Sequence, residues 1–479
     1  MSGRRKLGSR FFANSHCYGI SWQFCKQDVW IELFGLRNAS DGFQQIRVST
    51  RRSRDTERRS RALAKRSGHM SETADAPTDT LILPPHPPSD APGGIDLRFR
   101  FDVEGLRAVA VVLVVLFHAG VSWLPGGYVG VDVFFVISGF LITGLLLREH
   151  EQRGRISIRG FYARRARRIL PAAMLVIIMS VFASYYIQNF IQYAKVAQDG
   201  RWTALFAGNI HFGTESTAYF QQSVAPSPLE HFWSLGVEEQ FYVVWPALLL
   251  VVGAVFTRIP LRWRVTAIAA CATATSLAWS VIQTRNVPTW AYFSPFTRAW
   301  ELGIGAIAAT LVPEFTRLSR AFGLVIAYTG LAAIAISAVW FTSLTPFPGT
   351  AALLPVLGAA AVIAGGAAGT GARHLLGLRP VRSVGRVSFG WYLLHYPPMI
   401  ILTGALWTHP LPVHENLLIA AATLVCAYLM YAGIERPIRR SSFLGYRPWL
   451  SIAMGGTLVF AAYLLCYLLH PGLHPLWAP

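Results

Sequence analysis

The chain has 479 residues, 53% of them hydrophobic and only 14% charged, with a mean hydropathy of +0.40. Soluble domains average about 25% charged residues, so this composition excludes an ordinary water-soluble enzyme. The net charge of +19 does not make nucleic acid a partner, because residues 1–69 alone hold 15 basic and 5 acidic side chains, more than half of that charge.

Residues 1–69 show no sustained apolar period, end in an arginine-dense run from Arg47 to Arg66 and lack the apolar core of a secretion signal. They read as a disordered basic head outside the working chain, which is expected to start near Met70. Residues 70–98 contain Leu83-Pro-Pro-His-Pro-Pro-Ser and are mildly acidic, a composition that buries too little surface to offset chain entropy. They read as a disordered cytoplasmic segment. The five cysteines (Cys17, Cys25, Cys271, Cys426, Cys466) show neither CxxC spacing nor a disulfide framework, so no metal site is expected.

From Val103 onward, apolar stretches of about 17–25 residues recur, the length that crosses about 30 Å of hydrocarbon. They lie near 103–123, 128–147, 169–188, 232–253, 264–283, 296–312, 321–341, 350–368, 387–406, 415–434 and 449–469. The fold class is therefore all-α, a polytopic transmembrane helical bundle of ten or eleven spans. The sixth stretch is the weakest because Arg298 and Glu301 lie within it. Loops after the even-numbered spans carry 21 arginines, against Lys195, Arg201, Arg285 and Arg298 on the other side. Lys and Arg accumulate on the cytoplasmic side, so the amino terminus is expected inside the cell membrane and, with eleven spans, the carboxyl terminus outside.

Against that background each intramembrane ionisable residue is a functional candidate, since a charge at the bilayer centre costs roughly 2.5–3.5 kcal/mol on insertion scales. Arg107 and His118 are eleven residues apart, about 16 Å of helical rise and nearly three whole turns, so they share one face. Arginine grips phosphate and histidine exchanges a proton near neutral pH; a snorkelling Arg with a hydrogen-bonded structural His is the alternative. Gly126-Gly-Tyr-Val-Gly130 with Asp132 and Ser138 suggests close helix contact at an irregular start to the second span. Arg164 with Arg167, or Arg165 with Arg168, share a helix face and form either a polyphosphate clamp or simply the positive-inside signal. Farther on, Ser234, Glu238 and Glu239 enter the fourth span, Arg298 and Glu301 form an i,i+3 pair suited to mutual neutralisation, and Tyr392 and His395 lie in the ninth span. His395 suits a structural or an acid/base role. His211, His231, His409 and His414 fall in outer loops without metal spacing and read as surface residues.

Five collinear segments carry a resemblance to a known family. They are Phe101-Asp-Val-Glu-Gly-Leu-Arg107 through to His118, Gly130-Val-Asp-Val-Phe-Phe-Val-Ile-Ser-Gly-Phe-Leu141, the R-x-x-R before Ile169-Leu-Pro171, Trp233-Ser-Leu-Gly-Val-Glu-Glu-Gln-Phe-Tyr242, and Tyr392-Leu-Leu-His395-Tyr-Pro397. Over about residues 99–440 the sequence resembles the acyltransferase-3 proteins, membrane enzymes that acylate carbohydrates and related acceptors. Residues 441–479 would then be an additional helix with a short outer tail. The resemblance implies that Arg107 and the R-x-x-R arginines (Arg164, Arg165, Arg167, Arg168) bind cytoplasmic acyl-CoA and that His118 serves the transfer. Many relatives carry an SGNH hydrolase-like domain after an eleventh span. Here about ten residues follow Leu469 and no Gly-Asp-Ser motif is present, so the acceptor is acylated directly or a separate outer protein receives the acyl group.

The reading is an O-acetyltransferase using acetyl-CoA as donor substrate, with no permanently bound cofactor and a carbohydrate or glycolipid acceptor at the lipid bilayer. His118 acts as base or as acyl carrier, and Glu238, Glu239 or Asp132 is expected to orient its imidazole. Transfer of succinyl or a longer acyl group is the nearer alternative. A proton-coupled transporter is the rival from another class, but neither an inverted repeat nor matched broken helices are visible.

Overall fold

A chain in hydrocarbon has to satisfy its own backbone, and the apolar stretches do so as helices. The computed structural model describes residues 100–217, 226–255, 258–369, 371–405 and 411–470, and every regular element among them is helical. The expectations for residues 1–98, and for His409, lie outside the described residues.

The longer helices are α1 (Phe101–His118), α2 (Gly130–Arg153), α3 (Ile158–Ile187), α4 (Phe190–Ala204), α5 (Gly208–Thr217), α6 (Trp233–Ala254) and α7 (Leu261–Asn286). They continue as α8 (Pro295–Thr310), α9 (Arg320–Trp340), α10 (Leu353–Ala367), α11 (Arg379–Leu394), α12 (Tyr396–Ala405), α13 (Val413–Met430) and α14 (Pro448–Leu468). Among the described residues seven helical segments are both long and apolar enough to cross a membrane. The other expected spans are helical too, but α1 carries Asp102, Glu104 and Arg107, α8 carries Arg298 and Glu301, and α10 has only 15 residues.

The ninth span is broken at His395, where α11 stops and α12 starts. Pro397 and Pro398 have no amide hydrogen to donate back to Leu393 and Leu394, so the helix cannot run on unchanged. The third span departs in the other direction. α3 begins at Ile158, eleven residues before the apolar stretch, so the arginines from 164 to 168 ride on its first turns rather than in a loop. Between the third and fourth spans two unanticipated helices, α4 and α5, form the end of the bundle opposite those arginines, with the Asn189 side chain capping α4 by accepting from Gln192 N at 2.9 Å.

α2 is the central element: 83% of its apolar window is buried, against 22% for α7, α13 and α14. It belongs to both hydrophobic clusters, one shared with α1, α3, α6 and α11, the other with α1, α8, α9 and α10. Its approach to α8 is closer than side chains normally allow. A Cβ added at Gly139 would run into the Leu302 carbonyl, and one at Gly305 into the Val136 carbonyl. Small residues at such crossings let two backbones meet where lipid supplies no hydrophobic drive between helices.

Gly139→Val is therefore expected to lose about 1–3 kcal/mol of stability or more through overpacking. Gly456→Ala, whose added Cβ meets open space, is the control. Melting curves of the detergent-solubilised variants check this; a Gly139→Val curve lying on the parent's would contradict the close approach.

Candidate active site

Helical periodicity puts Arg107 and His118 on one face of α1, and the structure builds a polar column along that face. Its lower part is a narrow cleft of about 70 Å³. Arg107, Arg165 and Arg168 line one end, Ser138, Glu238 and Tyr242 the middle, and Ser234 and Tyr392 the head. The Arg165 guanidinium lies 4.3 Å over the Tyr242 ring, and the Tyr242 hydroxyl donates to Glu238 Oε2 at 3.1 Å. Arg100, Arg164, Arg298 and Arg382 are each committed to a carboxylate within 4.0 Å. No such salt bridge to a described residue is formed by Arg107, Arg165 or Arg168. Among the described residues Glu238 is the one carboxylate lining the cleft beside these three guanidiniums, so the excess of positive charge at that end suits a multiply charged anion.

At the head of the cleft the Tyr392 hydroxyl donates to the His231 carbonyl at 2.9 Å and sits 2.6 Å from Ser234 Oγ. Directly beyond it three imidazoles gather. His395, fully buried, places Nδ1 at 2.7 Å from its own helix's Tyr392 carbonyl, and a carbonyl only accepts. In neutral His395 the proton is therefore on Nδ1, and Nε2 carries a lone pair. That lone pair faces His118 Nδ1 at 3.0 Å. His118 consequently donates through Nδ1, which leaves its Nε2 as the basic atom. His118 is the last residue of α1, is partly exposed, and has the Tyr396 ring 4.7 Å away.

His231 completes the group. Its Nε2 donates to the Leu393 carbonyl at 3.1 Å, the acceptor that Pro397 leaves without its usual helical partner. Its ring lies 5.7 Å from His395 and 5.1 Å from Tyr396. The break in the ninth span thus serves the site twice, orienting His395 and engaging His231.

Residues 100–432 match the acyltransferase domain family, acyltransferase-3. The chain belongs to this family. It is 32% identical over 72% of its length to the peptidoglycan O-acetyltransferase OatA of Listeria monocytogenes, covering 56% of that protein. It is likewise 32% identical over 73% of its length to the putative peptidoglycan O-acetyltransferase YrhL of Bacillus subtilis, again covering 56%. To the O-acetyltransferase OatA of Staphylococcus aureus it is 26% identical over 73% of its length, covering 58%. The chain thus spans a little over half the length of these relatives. No solved structure matches it significantly.

Within this acyltransferase-3 fold several sequence expectations are redistributed. Arg164 bonds Glu149 at 2.7 Å, beside the start of α3, and lines a second cavity of about 350 Å³ with Arg100, Arg148 and Arg153. Arg167 donates to the Ala163 carbonyl at 3.4 Å and approaches Gly445. Of the two possible arginine pairs, only Arg165 with Arg168 faces the cleft. Asp132, Glu238 and Glu239 do not bond His118 at all. Its partner is a second histidine, because α11 rather than α6 delivers the side chain that reaches it. Glu239 does not line the cleft, and its buried Oε1 has no hydrogen-bond partner.

Asp132 instead joins the expected Arg298–Glu301 pair. Arg298 Nη1 lies 2.9 Å from both Asp132 Oδ1 and Glu301 Oε1, and all three side chains are buried. The guanidinium is boxed by Trp233, Tyr292 and Phe347, 5.3, 4.9 and 5.0 Å from their centroids. This triad ties α2 to α8.

Two histidines expected at the surface of outer loops are buried. His231 is 3% exposed and belongs to the histidine group. His211 is buried on α5, with Nε2 2.8 Å from Asp199 and 3.4 Å from Glu215, while Lys195 bonds Glu215 at 2.6 Å. That network fastens α5 to α4. The adjacency of His231 to Ser234 in one motif, together with the Pro397-Pro398 break, was the available signal for His231.

Arg298→Met would strand two buried carboxylates, and breaking a buried ion network by removing one partner costs about 3–5 kcal/mol. The variant is expected to melt far below the parent, and below a combined Arg298→Met/Asp132→Leu/Glu301→Leu variant, in thermal-shift measurements in detergent. A combined variant no more stable than Arg298→Met alone would contradict stranded charge as the cause.

Proposed function

We propose that this chain is a membrane O-acetyltransferase, moving an acetyl group from acetyl-CoA, held at the arginine-lined end of the cleft, to a hydroxyl of a cell-envelope carbohydrate. The observation that carries this reading is the column itself. Three guanidiniums that form no salt bridge to a described residue, and so are suited to the phosphates of CoA, stand at one end, and an imidazole with an available Nε2 stands at the other. The eleven residues from Arg107 to His118 span about 16 Å of rise, on the scale of an extended phosphopantetheine arm. The relatives' names supply the O-acetyl chemistry and, for two of them, peptidoglycan as the acceptor.

In the proposed step the acceptor oxygen attacks the thioester carbonyl carbon and the C–S bond breaks. His118 Nε2 takes the hydroxyl proton as the C–O bond forms, then returns it to the departing thiolate, giving CoA-SH and the ester. His395 holds His118 in the required tautomer. Its neutral Nε2 accepts throughout, so no carboxylate is needed at this position. The 21-to-4 distribution of basic residues between the two sides, counting those on helix starts as well as in loops, supports a cytoplasmic arginine end, where acetyl-CoA is made.

His118→Gln is expected to lower the transfer rate about 10²–10⁴-fold with acetyl-CoA binding nearly unchanged. His395→Leu, which removes the acceptor for His118 Nδ1, is expected to lower kcat while leaving KM for acetyl-CoA in place. A fully active His118→Gln protein would end the catalytic assignment. The binding assignment is checked separately: Arg165→Ala with Arg168→Ala is expected to raise KM for acetyl-CoA strongly, each charge-assisted phosphate contact contributing about 1.5–3 kcal/mol, while Arg164→Ala changes it little. For direction, sealed inside-out vesicles given radiolabelled acetyl-CoA are expected to label the acceptor and right-side-out vesicles are not.

A further inference from the structure

The end of the bundle opposite the arginines holds a much larger cavity, about 940 Å³. None of the described residues lining it is charged. Five of them are aromatic: Phe117, Tyr128, Tyr292, Phe293 and Phe347. These rings are fixed by edge-to-face packing: Phe117 meets Tyr128 at 5.5 Å and 74°, and Tyr128 meets Phe347 at 4.9 Å and 78°. Behind them, the buried Arg298 packs on both Tyr292 and Phe347 and accounts for their position. Set among the rings are the hydroxyls of Ser122, Thr289 and Ser343, which make no hydrogen bond to a described residue.

The cavity adjoins the reactive histidine along the chain. Phe117 precedes His118, and Gly120, Val121 and Ser122, which also form the wall, follow it within four residues. The two ends of the molecule thus offer opposite chemistries. One is cationic and narrow. The other is uncharged, roomy, and combines apolar ring faces with hydroxyl groups.

We propose that this outer cavity is the acceptor subsite and that it takes an uncharged saccharide, whose C–H faces lie on the aromatic rings while its hydroxyls bond Ser122, Thr289 and Ser343. A phosphorylated or acidic ligand would find no cation there, and a lipid chain would leave the hydroxyls unsatisfied. The proposal rests on the carbohydrate reading above and names where that acceptor sits.

Thr289 and Ser343 are exposed side chains on the cavity wall, so Thr289→Trp and Ser343→Trp obstruct it without removing a packing contact. The probes are a neutral N-acetylglucosamine tetramer and an anionic galacturonate tetramer, with binding to the full chain followed by saturation-transfer NMR and acetyl-CoA binding measured in parallel. The parent protein is expected to bind the neutral tetramer in preference to the anionic one. Each tryptophan variant is expected to bind it about tenfold more weakly or worse, with acetyl-CoA affinity held within about twofold. Absence of neutral-tetramer binding by the parent, equal binding of the two probes, or unchanged binding in both variants would each overturn the proposal. Failure of the underlying reading looks different: saccharide binding that responds to both variants, yet no radiolabelled acetyl on the saccharide when acetyl-CoA is supplied.

Discussion

The bilayer interior leaves no water to pair a buried polar group, and that constraint organises everything in this protein beyond its apolar helices. Most intramembrane charge is answered within the chain. Asp132, Arg298 and Glu301 answer one another, and even the carbonyl that Pro397 leaves open at Leu393 is answered by His231. Against that pairing, three guanidiniums that share a cleft and form no salt bridge to a described residue stand out.

The helix that makes this possible is α2. By closing on α8 through Gly139 and Gly305 it brings Asp132 to Arg298 on one side, and it turns Phe134 and Ser138 toward the cleft on the other. The same helix thus separates the Asp132–Arg298–Glu301 cluster from the arginine-lined cleft, and the glycines that look like mere packing residues determine which polar groups meet.

Periodicity along a single helix was readable in advance. Arg107 and His118 needed only their eleven-residue spacing to be placed on one face, and the recurrence of apolar stretches announced the bundle. Relations between helices were not readable in that way. Nothing local distinguishes Arg165 from Arg164, because which of them faces the cleft depends on the rotation of α3 against α6 and on the claim Glu149 makes on Arg164. His395 and His118 are 277 residues apart, so their hydrogen bond is a property of the assembled bundle. Asp132 drew attention as a carboxylate near the histidine face, yet a guanidinium 166 residues later holds it. The polar helices α4 and α5 escaped notice because their pattern is not that of a span.

The pairing of His118 with another neutral imidazole bears on energetics at the scale of the whole membrane. In the proposed transfer every acetyl group leaving for the far face is matched by one hydroxyl proton returning to the thiolate along the same ring. Formally this is a one-for-one exchange of an acylium unit for a proton, and both faces end with the charge they began with. A transmembrane voltage does work of about 2.3 kcal/mol per elementary charge for each 100 mV, so it has nothing to act upon over a full cycle. With no fixed carboxylate hydrogen-bonded to either ring, the cycle also leaves no charge stranded at that depth. Such an acetyltransferase would run at the same equilibrium position in an energised cell and in a depolarised one.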